Sequence, residues 1–228
     1  MQRFPNTLLD GYRNFMNGRY TDARDRYKAL AEHGQNPSTL VVACSDSRAA
    51  PELIFDAGPG ELFVIRNVAN MVPPYEPDGH FHATSAALEF AVQALKVADI
   101  VVMGHGRCGG IRAALDPSAE PLSPGDFIGR WMSLVKPAAE QIGANDVMTP
   151  SERQTALERV SIRNSIENLR TFPNIKALEE EGIIQREREN PLGRQRTIYQ
   201  LTQDGRARVR AYAQELARVA QELGAGGA

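Results

Sequence analysis

Ser38-Thr39-Leu40-Val41-Val42-Ala43 runs directly into Cys44-Ser45-Asp46-Ser47-Arg48, and this abrupt change from apolar to polar is the feature from which the fold class is read. A short, apolar, β-branched run of this kind predicts a buried strand. Two further runs behave the same way. Leu62-Phe63-Val64-Ile65 ends in Arg66-Asn67-Val68-Ala69-Asn70, and Ile100-Val101-Val102-Met103 ends in Gly104-His105-Gly106-Arg107-Cys108-Gly109-Gly110. Between the second and third, Ala83 to Lys96 carries Ala, Leu, Glu and Gln in helical rhythm. Near-continuous apolar strands joined by helical crossovers predict an α/β fold, a mostly parallel β-sheet flanked by helices. Ligands of such open sheets bind beyond the carboxyl ends of the strands. Those ends are where this chain places its reactive side chains.

Outward from the strands, residues 7–34 are expected to be helical, with Leu8, Tyr12, Phe15, Met16 and Tyr20 spaced for one apolar face. Such a face packs on the body or on a partner. Further helices are expected over 127–141 and 151–170, the second capped by Ser151-Glu152-Arg153-Gln154. The chain divides into residues 1–175 and a C-terminal part, 176–228, that reads as a hairpin plus helix packed on the same domain.

Composition limits the function classes. The 228 residues are 42% hydrophobic and 24% charged, enough for one cored domain and unlike a disordered or collagenous chain. Lys plus Arg number 26 against 28 Asp plus Glu, a formal charge of -2, so no global basic field recruits nucleic acid or anionic lipid. No run approaches the roughly 18 apolar residues of a membrane span, and the opening residues lack the apolar core of a signal peptide. The expectation is a cytoplasmic protein without membrane or nucleic-acid partners.

Cys44 and Cys108 are the chain's two cysteines. Their number alone fits two small buried apolar residues equally well; their position at strand ends adds chemistry. Two thiolates, an imidazole and one oxygen form a tetrahedral set suited to zinc, so Cys44, Asp46, His105 and Cys108 are the candidate ligands. Cys-x-Asp and His-x-x-Cys each hold their members on one turn, which favours chelation. Two states of this set stand open: a closed site with four protein ligands, or one in which Arg48 pairs with Asp46 and frees the fourth position. Gly104-x-Gly106-x-x-Gly109 formally matches a dinucleotide fingerprint, but His105 and Cys108 fill its variable positions and the next helix leads into a Pro-rich loop. The glycines are read instead as allowing a tight turn and close helix packing, with the Gly109 and Gly110 amides facing the site. Arg48 follows Cys44 too closely for a phosphatase-type phosphate loop. His80 and His82 read as solvent-facing loop residues, with proton relay as their secondary reading.

Cys44-Ser45-Asp46-Ser47-Arg48 together with His105-Gly106-Arg107-Cys108-Gly109-Gly110 resembles the β-class carbonic anhydrases, as do residues 66–70, 84–91 and 165–173; the likeness runs roughly from residue 5 to 175. The resemblance implies reversible hydration of carbon dioxide to bicarbonate and a proton by hydroxide on a zinc ion held by Cys44, His105 and Cys108. Asp46 would ligate zinc in a closed form or pair with Arg48 in an open one, where the two are the catalytic pair. Val68, Ala69 and Gly109 are the expected substrate-pocket residues, with Phe55 and Met71 as further candidates. A homodimer or homotetramer is implied, the N-terminal helix crossing to the partner.

Beyond Pro173 the likeness fades. Residues 177–187, a turn at 190–193 and residues 197–202 are similar to the wing of PadR-type winged-helix regulators, with Arg186, Arg188, Arg194 and Arg196 placed to meet phosphates. Glu187 and Glu189 interleave with them, and a solvated hairpin at a sheet edge accounts for the same alternation. The last helix carries Val209, Tyr212, Leu216, Val219 and Leu223 as an apolar stripe. The alternative function is therefore a carbon-dioxide- or bicarbonate-responsive DNA-binding regulator with an anhydrase-like body.

Overall fold

Three parallel strands form where the apolar runs fall: β1 (Thr39–Cys44), β2 (Leu62–Asn67) and β3 (Asp99–Met103). They belong to a computed structural model that describes residues 4–78, 81–180, 184–189, 196–203 and 207. β1 lies between the other two, with Ala43 opposite Arg66 on one side and Met103 on the other. Its central place explains its composition: five of its six residues are buried, as a strand covered on both faces requires. β2 closes the sheet and fully buries only Ile65. At the other side, β4 (Ile184–Glu189) and β5 (Arg196–Leu201) form an antiparallel hairpin whose β5 pairs with β3 at Ile100 and Tyr199. The order is β2-β1-β3-β5-β4, so the tail extends the same sheet. The turn at 190–193, Arg194 and the stripe from Val209 to Leu223 lie outside the described residues.

The single helix expected over 7–34 is three: α1 (Asn6–Asn17), α2 (Arg19–Asp22) and α3 (Arg24–His33). The first break is at Gly18, whose backbone (φ -120°, ψ -106°) leaves the helical region at a residue with no side chain to oppose it. None of the three buries a residue. Phe15, Tyr20 and Tyr27 pack their rings on one another, whereas Leu8 and Tyr12 stand 58% and 61% exposed.

α4 (Pro51–Ile54) follows β1, and α5 (Ala83–Glu89) with a wider turn over Phe90–Ala94 makes the crossover from β2 to β3. α6 (Gly109–Ala114) starts immediately after Cys108. The helix expected over 127–141 is interrupted, giving α7 (Phe127–Met132) and α8 (Lys136–Gly143) around a tight turn at Ser133–Val135. Pro137 has no amide hydrogen and its ring crowds the carbonyl four residues back, which forces the break. α9 (Pro150–Leu169) is capped not from Ser151 but by Thr149, whose side chain and that of Glu152 each accept the other's backbone N–H. Pro150 at the first helical position favours that earlier start. α10 (Pro173–Glu180) completes the described helices.

The buried apolar residues fall into two clusters. One gathers Leu40, Val42, Ile65, Leu88 and Ile100 with Ile166 and Leu169 of α9. The other gathers Cys44, Ala69, Met71, Cys108, Ile111 and Met132 with Leu157, also of α9. α9 therefore joins both halves of the core. Among the described residues no helix is long and apolar enough to cross a membrane.

Candidate metal centre

Because β1 and β3 are parallel neighbours in register, their carboxyl ends emerge side by side. Cys44 closes β1, and the loop after β3 returns His105 and Cys108 to the same point. Ligand atoms of the three all lie within 4.8 Å of one another, and the two sulfurs are 3.9 Å apart. Both cysteines are buried free thiols. His105 turns Nδ1 to the Gly106 carbonyl at 3.2 Å, while Nε2 is buried without a hydrogen-bond partner. A buried polar atom left unpaired costs about 1–3 kcal/mol. With its proton on Nδ1, the ring aims a lone pair from Nε2, which is what a metal ligand requires. Two sulfurs and an imidazole nitrogen match zinc, so the residues present fit the expected ion.

The two thiol sulfurs lie within hydrogen-bonding reach of each other. A hydrogen bond from Cys108, aided by the Asp46 amide, pulls Cys44 down to about 4 against the opposing effect of burial. The same bond, with burial, pushes Cys108 well above the usual thiol range, although the Ile111 and Gly110 amides at the start of α6 counter it. The pair thus favours the thiolate form at Cys44.

Asp46 stands outside this group of three. One of its carboxylate oxygens accepts the Arg48 backbone N–H at 2.9 Å and Nε at 3.0 Å, and the other accepts Nη2 at 2.8 Å. The guanidinium holds the Asp46 carboxyl well below the usual carboxylate range. Arg48 Nη2 also reaches the Arg107 carbonyl at 3.1 Å, tying the β1 turn to the β3 loop. A second arginine braces the same turn: Arg66 donates through Nε to the Cys44 carbonyl at 3.0 Å and through Nη2 to the Asp46 carbonyl at 2.6 Å. No local pattern marks Arg66 for this role. The one available signal is a charge at the end of an otherwise apolar strand.

The glycines serve the close packing expected of them but not the turn. The left-handed turn falls on Arg107 (φ 60°), not on a glycine. Gly104 and Gly110 serve close packing: a Cβ on either would meet Ile162 at 2.6 Å or Val68 at 2.8 Å, respectively. Gly109 heads α6 with open space where a side chain would stand. Val68 is partly exposed, and its carbonyl accepts Trp131 Nε1 at 2.8 Å. Ala69 is buried and lines a small cavity with His105 and Cys108. Met71 is buried in the same apolar cluster as the two cysteines, and Phe55 is half exposed after α4. His82 contacts Asp78 at 2.6 Å; His80 lies outside the described residues.

The carbonic anhydrase family profile matches residues 39–185, more than half of the chain. The chain belongs to the carbonic anhydrase family. It is 40% identical over 165 residues to β carbonic anhydrase 5, chloroplastic, of Arabidopsis thaliana, covering 72% of this chain and 54% of that protein. It therefore spans about half the length of that plant relative. A carbonic anhydrase of Pseudomonas aeruginosa is 37% identical over 175 residues, 77% of each chain. Among solved structures, the β-carbonic anhydrase CcaA superposes with a TM-score of 0.71 at 30% identity, covering 78% of both chains. One of two tetrameric β-carbonic anhydrases of Sordaria macrospora gives 0.65 at 28% identity, over 84% of this chain and 95% of that one. The β-class assignment drawn from the motifs holds, as does the α/β fold. The Cys-His-Cys cluster fits the zinc that this family membership implies. Nothing in these comparisons favours the regulator reading.

Proposed function

We propose that this carbonic anhydrase converts carbon dioxide and water reversibly to bicarbonate and a proton, with zinc held by Cys44, His105 and Cys108 and the Asp46 and Arg48 pair beside it. The observation that carries the reading is the unpartnered Nε2 of His105 converging on two thiol sulfurs. Zinc bound there supplies Lewis acidity that lets water ionise near neutral pH.

Asp46 acts through its lone pairs. Held ionised by Arg48, it is a weak base and a strong hydrogen-bond acceptor, so its role is to orient the attacking water rather than to take its proton. For Asp46 to ligate the metal, three hydrogen bonds from Arg48 would have to break. This supports Asp46 as the orienting group, with the fourth position left to water. Arg48 is kept from swinging away by its bond to the Arg107 carbonyl. Carbon dioxide is small and apolar, and Val68 and Ala69 offer it an apolar wall, with Gly109 leaving room at the start of α6.

The wider reading includes a homodimer or homotetramer, supported by the exposed apolar residues of α1 and by the tetrameric fungal relatives. Residues 1–175 form the zinc domain, with 176–228 packed onto it; the pairing of β5 with β3 supports this. A cytoplasmic location is supported by two cysteines kept as free thiols at the metal cluster.

Stopped-flow carbon dioxide hydration on zinc-loaded protein, from about pH 7 to about pH 9 to bracket the ionisation of metal-activated water, tests the proposal. The expected outcome is one zinc per chain with activity, both lost in Cys108→Ser. One zinc per chain without activity at any pH overturns it.

A further inference from the structure

Cys108 sits where its backbone has little support from its own loop. It follows Arg107, which is in the left-handed region, and it precedes α6 as an extended residue (φ -63°, ψ 127°) that provides no side-chain cap. Its carbonyl accepts the Arg112 N–H at 3.0 Å as α6 begins, and both halves of its peptide backbone are also bonded to α9, some fifty residues on. The Cys108 N–H donates to Glu158 Oε1 at 3.1 Å, and the Cys108 carbonyl accepts from Gln154 Nε2 at 3.1 Å. Gln154 and Glu158 are four apart and so share one face of α9. One turn earlier, Ser151 receives the Arg107 guanidinium through its hydroxyl.

Gln and Glu both suit a helix, but burial asks more of them than propensity does. Gln154 is only 8% exposed, and a buried amide is costly unless its hydrogen bonds are made. Glu158 lines the small cavity shared by His105, Cys108, Ala69 and Ser161, so its carboxylate lies behind the metal ligands. Its bond to the Cys108 N–H is charge-assisted, hence stronger than one between neutral groups. Fixing the Cys108 N–H and C=O from one rigid helix fixes the direction in which its Cβ and sulfur point.

We infer that Glu158 and Gln154 are positioning residues for the metal centre: they clamp the Cys108 backbone so that its sulfur faces Cys44 and His105 before any metal arrives. The inference rests on the proposed zinc site. Groups that orient a ligand from behind typically change metal affinity 10–100-fold when removed.

The test compares zinc binding by the full chain with Glu158→Ala and Glu158→Gln, by competition with a chromophoric chelator, and records the sulfur-to-cobalt absorption of each cobalt-substituted protein. Glu158→Ala is expected to weaken zinc binding about 10–100-fold and to alter the cobalt spectrum. Glu158→Gln keeps an oxygen that accepts the Cys108 N–H, and is expected to recover most of both. Gln154→Ala should weaken binding in the same direction, and thermal melts of the metal-free proteins establish that each variant folds. Glu158→Ala binding zinc within about twofold of the unsubstituted chain overturns the inference alone. Glu158→Gln binding no better than Glu158→Ala also overturns it, since charge rather than positioning would then be at work. An unsubstituted chain that binds no zinc overturns the zinc reading as well.

Discussion

At the carboxyl ends of β1 and β3, the groups that set the candidate ligands are held from within the chain. Arg66 braces the Cys44 turn, Arg48 joins Asp46 to the Arg107 carbonyl, and α9 grips the Cys108 backbone. The N-terminal helices α1 to α3 differ: they bury no residue, α1 carries Leu8 and Tyr12 into solvent, and α3 is tied to the body through Arg26, which meets the Pro59 carbonyl and Glu61. The ligand cluster is braced by its own chain, whereas α1 leaves apolar side chains exposed. The contrast supports the proposal that chemistry and assembly reside in separate parts of this protein, and each part can be attacked separately.

The sharpest way to exploit that separation is Arg48→Ala. It removes the two guanidinium hydrogen bonds to Asp46 and leaves the one from the backbone N–H of residue 48, and the hydration rate should fall about 10–100-fold, while zinc content and the mass measured by sedimentation velocity stay unchanged. A change in mass would break the comparison. Leu8→Glu combined with Tyr12→Glu attacks the other region. A buried side chain of this size contributes roughly 1.5–3 kcal/mol, so the pair should weaken self-association at least about a hundredfold, with zinc still bound at one per chain. Assembly that survives both charges would show that α1 is not the contact.

The smallest effect is in the pH dependence of stability. The folded Asp46 carboxyl is depressed by Arg48, so the pair's contribution is fully present above the ordinary carboxylate value of about 4. It is lost as pH falls below that value towards the folded one, because the unfolded chain takes up the proton first. The gap in melting temperature between the native chain and Arg48→Ala should therefore stay constant from about pH 7 down to about pH 4 and narrow below it. A gap that widens in acid would contradict the pairing.

Local pattern revealed much of this. Thr39–Cys44 and Asp99–Met103 are strands because uninterrupted β-branched runs suit the middle of a parallel sheet, and the runs end where the backbone ends its strands. Cys44, His105 and Cys108 were legible because sulfur and imidazole at strand ends have few other uses. What depended on single backbone choices was harder to see. Gly18 breaks the first helix, Pro137 interrupts a later one, and Arg107 rather than a neighbouring glycine takes the left-handed turn. Gly18 and Pro137 are local breakers that the apolar periodicity hides, whereas no local preference places Arg107 in the left-handed region.

By itself, the sequence determined the residue types that bind zinc, their placement at apolar-to-polar boundaries, and the parallel class of the sheet. Only the tertiary structure decided that β1 and β3 are neighbours, which brings sulfurs 64 positions apart in sequence to within 3.9 Å. It alone showed that Asp46 faces Arg48, and that Gln154 and Glu158 meet the backbone of Cys108. The physical reason is that periodicity reports which face of an element is buried, whereas contacts between distant segments are set by how whole elements pack.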